Sequence, residues 1–145
     1  MSDAVLFRRG TCSALVVTCS DFRFKHVEQT FTDAAGLRDD YDLIARPGGI
    51  RSLVAPRSAA ARETMEEEIL LLWRLHKFTH VLMLNHVSCR AYDDIASEWN
   101  EREVHAQHLA AAAPIVERLL AGVTAEGYLV ALVDDSLTVG REPLA

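Results

Sequence analysis

Four short apolar runs, separated by stretches with helical periodicity, restrict this chain to an α/β architecture. Each run has the length of a buried strand, and the runs cover residues 14–18, 41–45, 79–85 and 127–133. Between them, apolar residues recur every three to four positions, as they do along amphipathic helices. Strands that alternate with helices favour a parallel sheet with helices on both faces. We therefore predict a single α/β domain over residues 1–145, built on a four-stranded parallel sheet.

The intervening helices have recognisable ends. Three are expected, over about 22–35, 58–77 and 95–121. Ser58 can cap the first turn of the second helix. Pro114 should kink or split the third helix, because proline lacks the backbone N–H that the helix needs. The polar tail contains one further candidate strand, at residues 137–139.

Charge and composition narrow the classes of function. The net charge of −6 disfavours nucleic-acid binding, which usually requires a basic excess. No apolar run is long enough to span a bilayer, and residues 1–9 lack the features of a signal peptide. The three cysteines, an odd number, do not suggest a disulfide framework. We expect a cytoplasmic protein that acts on a small molecule and binds neither nucleic acid nor membrane.

Metal-binding side chains follow the first and the third predicted strand. Cys19 ends the first strand, and His86 and Cys89 come at the end of the third. The carboxyl ends of parallel strands meet at one edge of the sheet, where ligands bind. Zinc favours thiolate sulfur and imidazole nitrogen in tetrahedral geometry. We therefore predict one zinc ion per chain, bound by Cys19, His86 and Cys89.

The fourth position of this zinc is open to two interpretations. Asp21, two residues after Cys19, is a candidate ligand, whereas Cys12 lies about 20 Å away along an extended strand. Alternatively, Arg23 forms a bidentate pair with Asp21 and holds it away from the metal. Asp21 would then accept a hydrogen bond from water on the zinc and orient it.

Two consecutive glycines, Gly48 and Gly49, follow the second predicted strand. Glycine allows backbone geometry that other residues avoid and close approach to a ligand. Their N–H groups are candidate donors to a bound anion or oxyanion. The alternative is a simple tight turn.

Together these motifs resemble the β-class carbonic anhydrases, and in particular their short members. The resemblance rests on CSDFR at 19–23, RPGG at 46–49 and HVSC at 86–89. It implies a sheet of order 2-1-3-4 flanked by helices, and a homodimer or a multiple of dimers. It also implies reversible hydration of CO2 to bicarbonate, with hydroxide on the zinc as nucleophile. Asp21 and Arg23 would be the catalytic dyad.

The sequence departs from that family around the substrate pocket. Pro47 stands where the family usually has asparagine, and Arg90 replaces the glycine that usually follows the last ligand. Arg90 could favour an anionic ligand. The same zinc set in relatives hydrolyses carbonyl sulfide or carbon disulfide, which is therefore the alternative activity. Two further alternatives are a non-catalytic zinc domain that binds an anion or a protein, and a metal-free enzyme with a cysteine nucleophile.

The other histidines and Cys12 are not expected to bind the zinc. His26 and the pair His105 and His108 are candidates for proton transfer, against a background expectation of exposed polar residues. His76 and His80, four residues apart, are expected at the surface. Cys12 is expected to be a small residue without chemistry.

Overall fold

The computed structural model describes residues 10–132 and 139–143, and it contains the predicted alternation of strands and helices. The strands are β1 (Ala14–Cys19), β2 (Tyr41–Arg46), β3 (His80–His86), β4 (Thr124–Leu132) and β5 (Val139–Pro143). The α-helices are α1 (Lys25–Ala34), α2 (Arg51–Val54), α3 (Ala59–His76) and α4 (Glu101–Leu119). Among the described residues, none of these helices is both long and apolar enough to cross a membrane.

The sheet confirms the predicted topology. Four strands are parallel and lie in the order β2-β1-β3-β4. In the register of the sheet, Val17 of β1 lies between Ile44 of β2 and Met83 of β3. β5 adds an antiparallel edge beside β4 and begins at Val139, whereas residues 137 and 138 of the predicted edge strand lie outside the described residues.

Helices cover both faces of the sheet, so β1 is buried along its whole length. Val17 packs in one cluster with Ile69 of α3 and Leu109 of α4. Val16 packs in a separate cluster that includes Phe31 of α1. Burial of each such side chain contributes about 1.5–3 kcal/mol, so the central strand is firmly held. The carboxyl end of β1 is therefore a rigid support for the side chains that it carries.

Side-chain oxygens begin two of the helical segments. Asp21 accepts the backbone N–H of Arg23 at 2.9 Å and starts a short 3-10 turn that leads into α1. Ser58 caps α3 as predicted, because its Oγ accepts the N–H of Ala61 at 3.1 Å. Asp21 is thus placed by local backbone geometry, next to the end of β1.

The third predicted helix begins later than expected. A 3-10 turn follows Cys89, and α4 starts only at Glu101. Tyr92 is buried and its N–H bonds to the carbonyl of Cys89 at 2.9 Å, which keeps this segment in a turn. Trp99, which had suggested helical periodicity, is 90% exposed. α4 continues through Pro114 as one helix, so the predicted split is wrong.

Candidate metal centre

The three predicted zinc ligands meet at the carboxyl ends of β1 and β3. Cys19 is the last residue of β1 and His86 is the last residue of β3, and these strands are neighbours. Cys89 follows in the next turn, and its Sγ lies 3.9 Å from the Sγ of Cys19. One ligand atom from each side chain lies within 4.8 Å of the other two, and each residue is at most 9% exposed. Two thiols and an imidazole match the donors of a zinc site with an open fourth position.

His86 directs an unpaired nitrogen into this group. Its Nδ1 lies 2.7 Å from the carbonyl oxygen of Val87, so Nδ1 carries the hydrogen and donates it. Nε2 therefore holds the lone pair, and this buried atom has no hydrogen-bond partner within the part of the chain that the structure describes. Phe24 stacks on the ring, with centroids 4.1 Å apart. A buried acceptor without a donor is costly unless a metal binds it, so the residues present fit zinc.

Backbone hydrogen bonds orient both cysteines. Gly48 N–H donates to Cys19 Sγ at 3.4 Å, and Cys89 N–H donates to Glu101 Oε1 at 2.8 Å. The hydrogen bond with Cys89 outweighs burial and lowers the pKa of Cys19 to about 4. The same bond, together with burial, raises the pKa of Cys89. One proton therefore remains on this pair of sulfurs, and a bound divalent cation would favour thiolate at both.

Asp21 is held as a carboxylate beside the ligand set. Arg23 donates to its two oxygens from Nε at 3.0 Å and from Nη2 at 2.6 Å. Nη2 also donates to the carbonyl of Ser88 at 2.9 Å, which ties the pair to the turn before Cys89. The hydrogen bonds from Arg23 lower the pKa of Asp21 from 3.8 to about 2. Oδ2 of Asp21 lies 3.7 Å from Nε2 of His86, within reach of a group bound between them.

The three residues predicted to line an anion pocket have different surroundings. The N–H of Gly48 donates to the sulfur of Cys19, and the N–H of Gly49 donates to the carbonyl of Arg46 at 2.9 Å. Both donors are therefore already bonded within the protein. The side chain of Arg90 is 91% exposed. A role of these three residues toward an anion stays a prediction.

Replacing Gly49 by alanine is expected to lower the free energy of unfolding by about 2–4 kcal/mol. Part of this loss comes from the strained backbone conformation, and the rest comes from close contacts of the added Cβ. Gly49 has a φ of +58°, and an added Cβ would lie 2.9 Å from Asn85 Oδ1 and 3.4 Å from the backbone nitrogen of Cys19. Gly36 is the matched control, because its φ is +74° and an added Cβ there meets nothing within 4 Å. Equilibrium urea unfolding of both variants is the measurement. Equal losses would contradict the close packing of Gly49 behind the metal centre.

A buried polar network behind Cys89 was missed by the sequence reasoning. Oε1 of Glu101 accepts the N–H of Cys89 and lies 3.4 Å from Nε2 of His105. Asn85 Nδ2 donates to Nδ1 of His105 at 3.0 Å and to the hydroxyl of Tyr92 at 3.1 Å. His105 is fully buried, where an exposed helix position was expected. The available signal was the spacing of Glu101 and His105, four residues apart on one helix face.

Arg51 was also missed, and it clamps the segment after Cys89. Its guanidinium donates to the carbonyl of Ala91 at 2.6 Å and to the carboxylate of Asp94 at 2.6 and 2.8 Å. The Arg51 side chain is only 7% exposed, so this pair is better shielded from water than an ordinary surface ion pair. The turn that carries Cys89 is therefore held from α2 as well as from α4.

Two cavities adjoin the ligand set. One of about 490 Å³ is lined by Cys19, His26 and Leu43, among others. A second cavity of about 400 Å³ is lined by Arg23, Cys89 and Arg90, among others. His26 lines the same cavity as Cys19, and its part in proton transfer stays a prediction.

The sequence of this chain matches a known protein family. Residues 10–139 match the model of the family described as "Putative carbonic anhydrase". An uncharacterised protein of Rickettsia bellii is 30% identical over 111 residues, which cover 72% of this chain and 68% of that protein. A second uncharacterised protein, of Rickettsia conorii, is 27% identical over 111 residues, covering 72% of this chain and 60% of that protein.

Solved structures show the same fold at low sequence identity. The carbonic anhydrase of Streptococcus mutans aligns with a TM-score of 0.60 and 12% identity, covering 95% of this chain and 87% of that chain. The β-carbonic anhydrase isoform I of Trichomonas vaginalis aligns with a TM-score of 0.57 and 14% identity, covering 97% and 88%. The chain therefore belongs to the carbonic anhydrase family that its sequence matches, and it has the β-class fold. The resemblance seen in the sequence is confirmed.

Proposed function

We propose that this protein catalyses the reversible hydration of CO2 to bicarbonate with one zinc ion per chain, bound by Cys19, His86 and Cys89. The observation that carries the proposal is the unpaired, buried Nε2 of His86 beside two cysteine sulfurs and an arginine-held carboxylate. Zinc in this donor set would supply Lewis-acid activation of water as the nucleophile for CO2. The family match supports the same reaction class.

The residues of the chain divide the remaining work. Arg23 holds Asp21 in its ionised form and fixes the direction of its oxygens. Asp21 then serves as the hydrogen-bond acceptor that orients the attacking water and takes part in moving its proton. Glu101 and Gly48 act one step away, by holding the backbone of Cys89 and the sulfur of Cys19. Two thiolates neutralise the formal charge of zinc, so the carboxylate carries more of the activation than in an all-histidine site.

The fold also supports the finer expectations as proposals. We infer a single domain over 1–145 that works in the cytoplasm as a homodimer or a multiple of dimers. Phe22 is 82% exposed and Leu43 is 44% exposed, and we propose that contact with a second copy covers such exposed apolar side chains. Arg90, being exposed, leaves the space at the ligand set open to a small neutral substrate.

Stopped-flow hydration of CO2 on zinc-quantified protein, over about pH 6.5 to 9, tests the proposed reaction. Fast turnover that requires bound zinc and rises with pH is the expected result. Carbonyl sulfide and carbon disulfide are assayed in parallel on the same preparation. Zinc without CO2 turnover would overturn the proposal, in favour of sulfur-analogue hydrolysis if those substrates react and of a binding role if they do not. Turnover without zinc would support a cysteine nucleophile instead.

A further inference from the structure

A second group of metal-binding side chains lies at the opposite end of β1. Cys12 precedes this strand, Asp42 belongs to β2, and His76 is the last residue of α3. One ligand atom from each of these side chains lies within 4.8 Å of the other two. Seven residues of strand rise separate Cys12 from Cys19, which places the two groups about 20 Å apart. The second group is therefore independent of the proposed carbonic anhydrase site.

Backbone hydrogen bonds fix the positions of these three residues. The N–H of Cys12 donates to the carbonyl of His76 at 3.1 Å, which joins the start of β1 to the end of α3. The N–H of Ser13 donates to the carbonyl of Asp40 at 3.2 Å, next to the start of β2. The parallel register then sets Leu15 opposite Asp42. Three elements that are distant in sequence thus present a thiol, a carboxylate and an imidazole without any local motif.

The side chains themselves are close and partly shielded from water. Nδ1 of His76 lies 2.7 Å from Oδ2 of Asp42. The Cys12 side chain packs against the core cluster under α3, while the side chains of His76 and Asp42 are 38% and 17% exposed. A divalent cation bound by these three side chains would keep one coordination position open to solvent.

We propose that Cys12, Asp42 and His76 form a second site for a divalent transition-metal ion of the zinc type. One sulfur, one nitrogen and one oxygen donor suit Zn²⁺ or Co²⁺, whereas Mg²⁺ and Ca²⁺ prefer oxygen donors throughout. Binding displaces the thiol proton of Cys12 to solvent. Nδ1 of His76 carries the hydrogen that it donates to Asp42, so His76 binds through Nε2, or through Nδ1 after that hydrogen has moved to Nε2. The ion joins the start of β1, the start of β2 and the end of α3. It therefore stabilises the fold and takes no part in CO2 hydration.

Metal counting on the whole chain tests this site. Protein with its first site filled by zinc is titrated with Co²⁺ and followed by thiolate-to-cobalt charge-transfer absorption and by metal analysis. The wild-type chain is expected to bind a second equivalent and to gain thermal stability from it. Cys12→Ser and His76→Gln should each weaken that second equivalent by at least about 100-fold. Both should retain the first zinc and wild-type CO2 turnover.

His80→Gln is the matched control, because His80 lies four residues from His76 at the start of β3, outside the cluster. It should bind the second equivalent as the wild-type chain does. If the wild-type chain binds only one equivalent of metal, the proposal is overturned whatever the variants show. His76 and Asp42 then form only an ion pair. A second equivalent that persists in both Cys12→Ser and His76→Gln overturns it as well.

Discussion

Replacing Cys89 by serine is expected to lower zinc affinity at the carboxyl end of the sheet by more than about 100-fold, since loss of an outer-shell partner alone costs about 10–100-fold. CO2 turnover should fall with the fraction of chains that hold zinc. The Sγ of Cys89 lies 3.9 Å from that of Cys19, and the hydroxyl of serine is a poorer zinc ligand than a thiolate. The backbone bond from Cys89 to Glu101 does not involve the side chain and should survive. The effect should therefore be on metal binding with little change in fold.

The measurement is zinc content and affinity by competition with a colorimetric chelator, together with stopped-flow turnover. Cys12→Ser is the matched control for turnover, because Cys12 lies outside the first ligand set, and any zinc that it loses is the second equivalent proposed above. It should keep the first zinc and full turnover. Wild-type zinc content in Cys19→Ser, His86→Ala and Cys89→Ser alike would refute the ligand set itself.

Replacing Asp21 by asparagine is expected to leave zinc bound and to lower turnover by about 10²–10⁴-fold, the range for loss of a positioned acid-base group. Asparagine keeps the size of the side chain and an oxygen that can accept the N–H of Arg23, so the turn before α1 should persist. It lacks the negative charge of Asp21, which the hydrogen bonds from Arg23 stabilise and which is present at neutral pH because those bonds lower the pKa of Asp21 to about 2. Because that pKa is so low, the wild-type carboxylate is ionised throughout the assay range.

Asp33→Asn provides the control for this change. Asp33 lies in the last turn of α1, at the opposite end of that helix from Asp21, and forms an exposed ion pair with Arg38 at 3.6 Å. Its replacement should leave both zinc and turnover unaltered. Zinc content by metal analysis separates a chemical role of Asp21 from a structural one. Turnover in Asp21→Asn equal to that of Asp33→Asn would remove Asp21 from the mechanism.

Local patterns were sufficient to predict the sheet and the edge at which Cys19, His86 and Cys89 meet. The central strands β1 and β3 are buried on both faces, so they appear in the sequence as short continuous apolar runs, and this made the parallel sheet recognisable. The Cys19 and His86 positions followed from strand ends, since such ends meet at one edge in any parallel sheet. Ser58 was predicted as a cap from a side chain whose oxygen is chemically suited to that position.

Long-range contacts account for what could not be predicted. Glu101 reaches the N–H of Cys89 only because the chain turns after Tyr92, and no pattern around Ile95 or Trp99 indicated that turn. The N–H groups of Gly48 and Gly49 are already bonded to acceptors within the protein, and which acceptor each one meets depends on the folded backbone. The group of Cys12, Asp42 and His76, which we propose as a second metal site, combines residues from three separate parts of the chain. Neither a motif nor a fixed spacing in the sequence therefore indicates it.

The distance along the chain between the metal ligands has a consequence for folding kinetics. Cys19 and Cys89 are 70 residues apart, and their sulfurs meet only when β1 has paired with β3. Contacts of such long sequence separation form late, because loop closure precedes them. Metal held there would stabilise the native state more than the folding transition state. We therefore expect zinc at the first site to slow unfolding and to lengthen the lifetime of the folded chain, with little effect on its speed of folding.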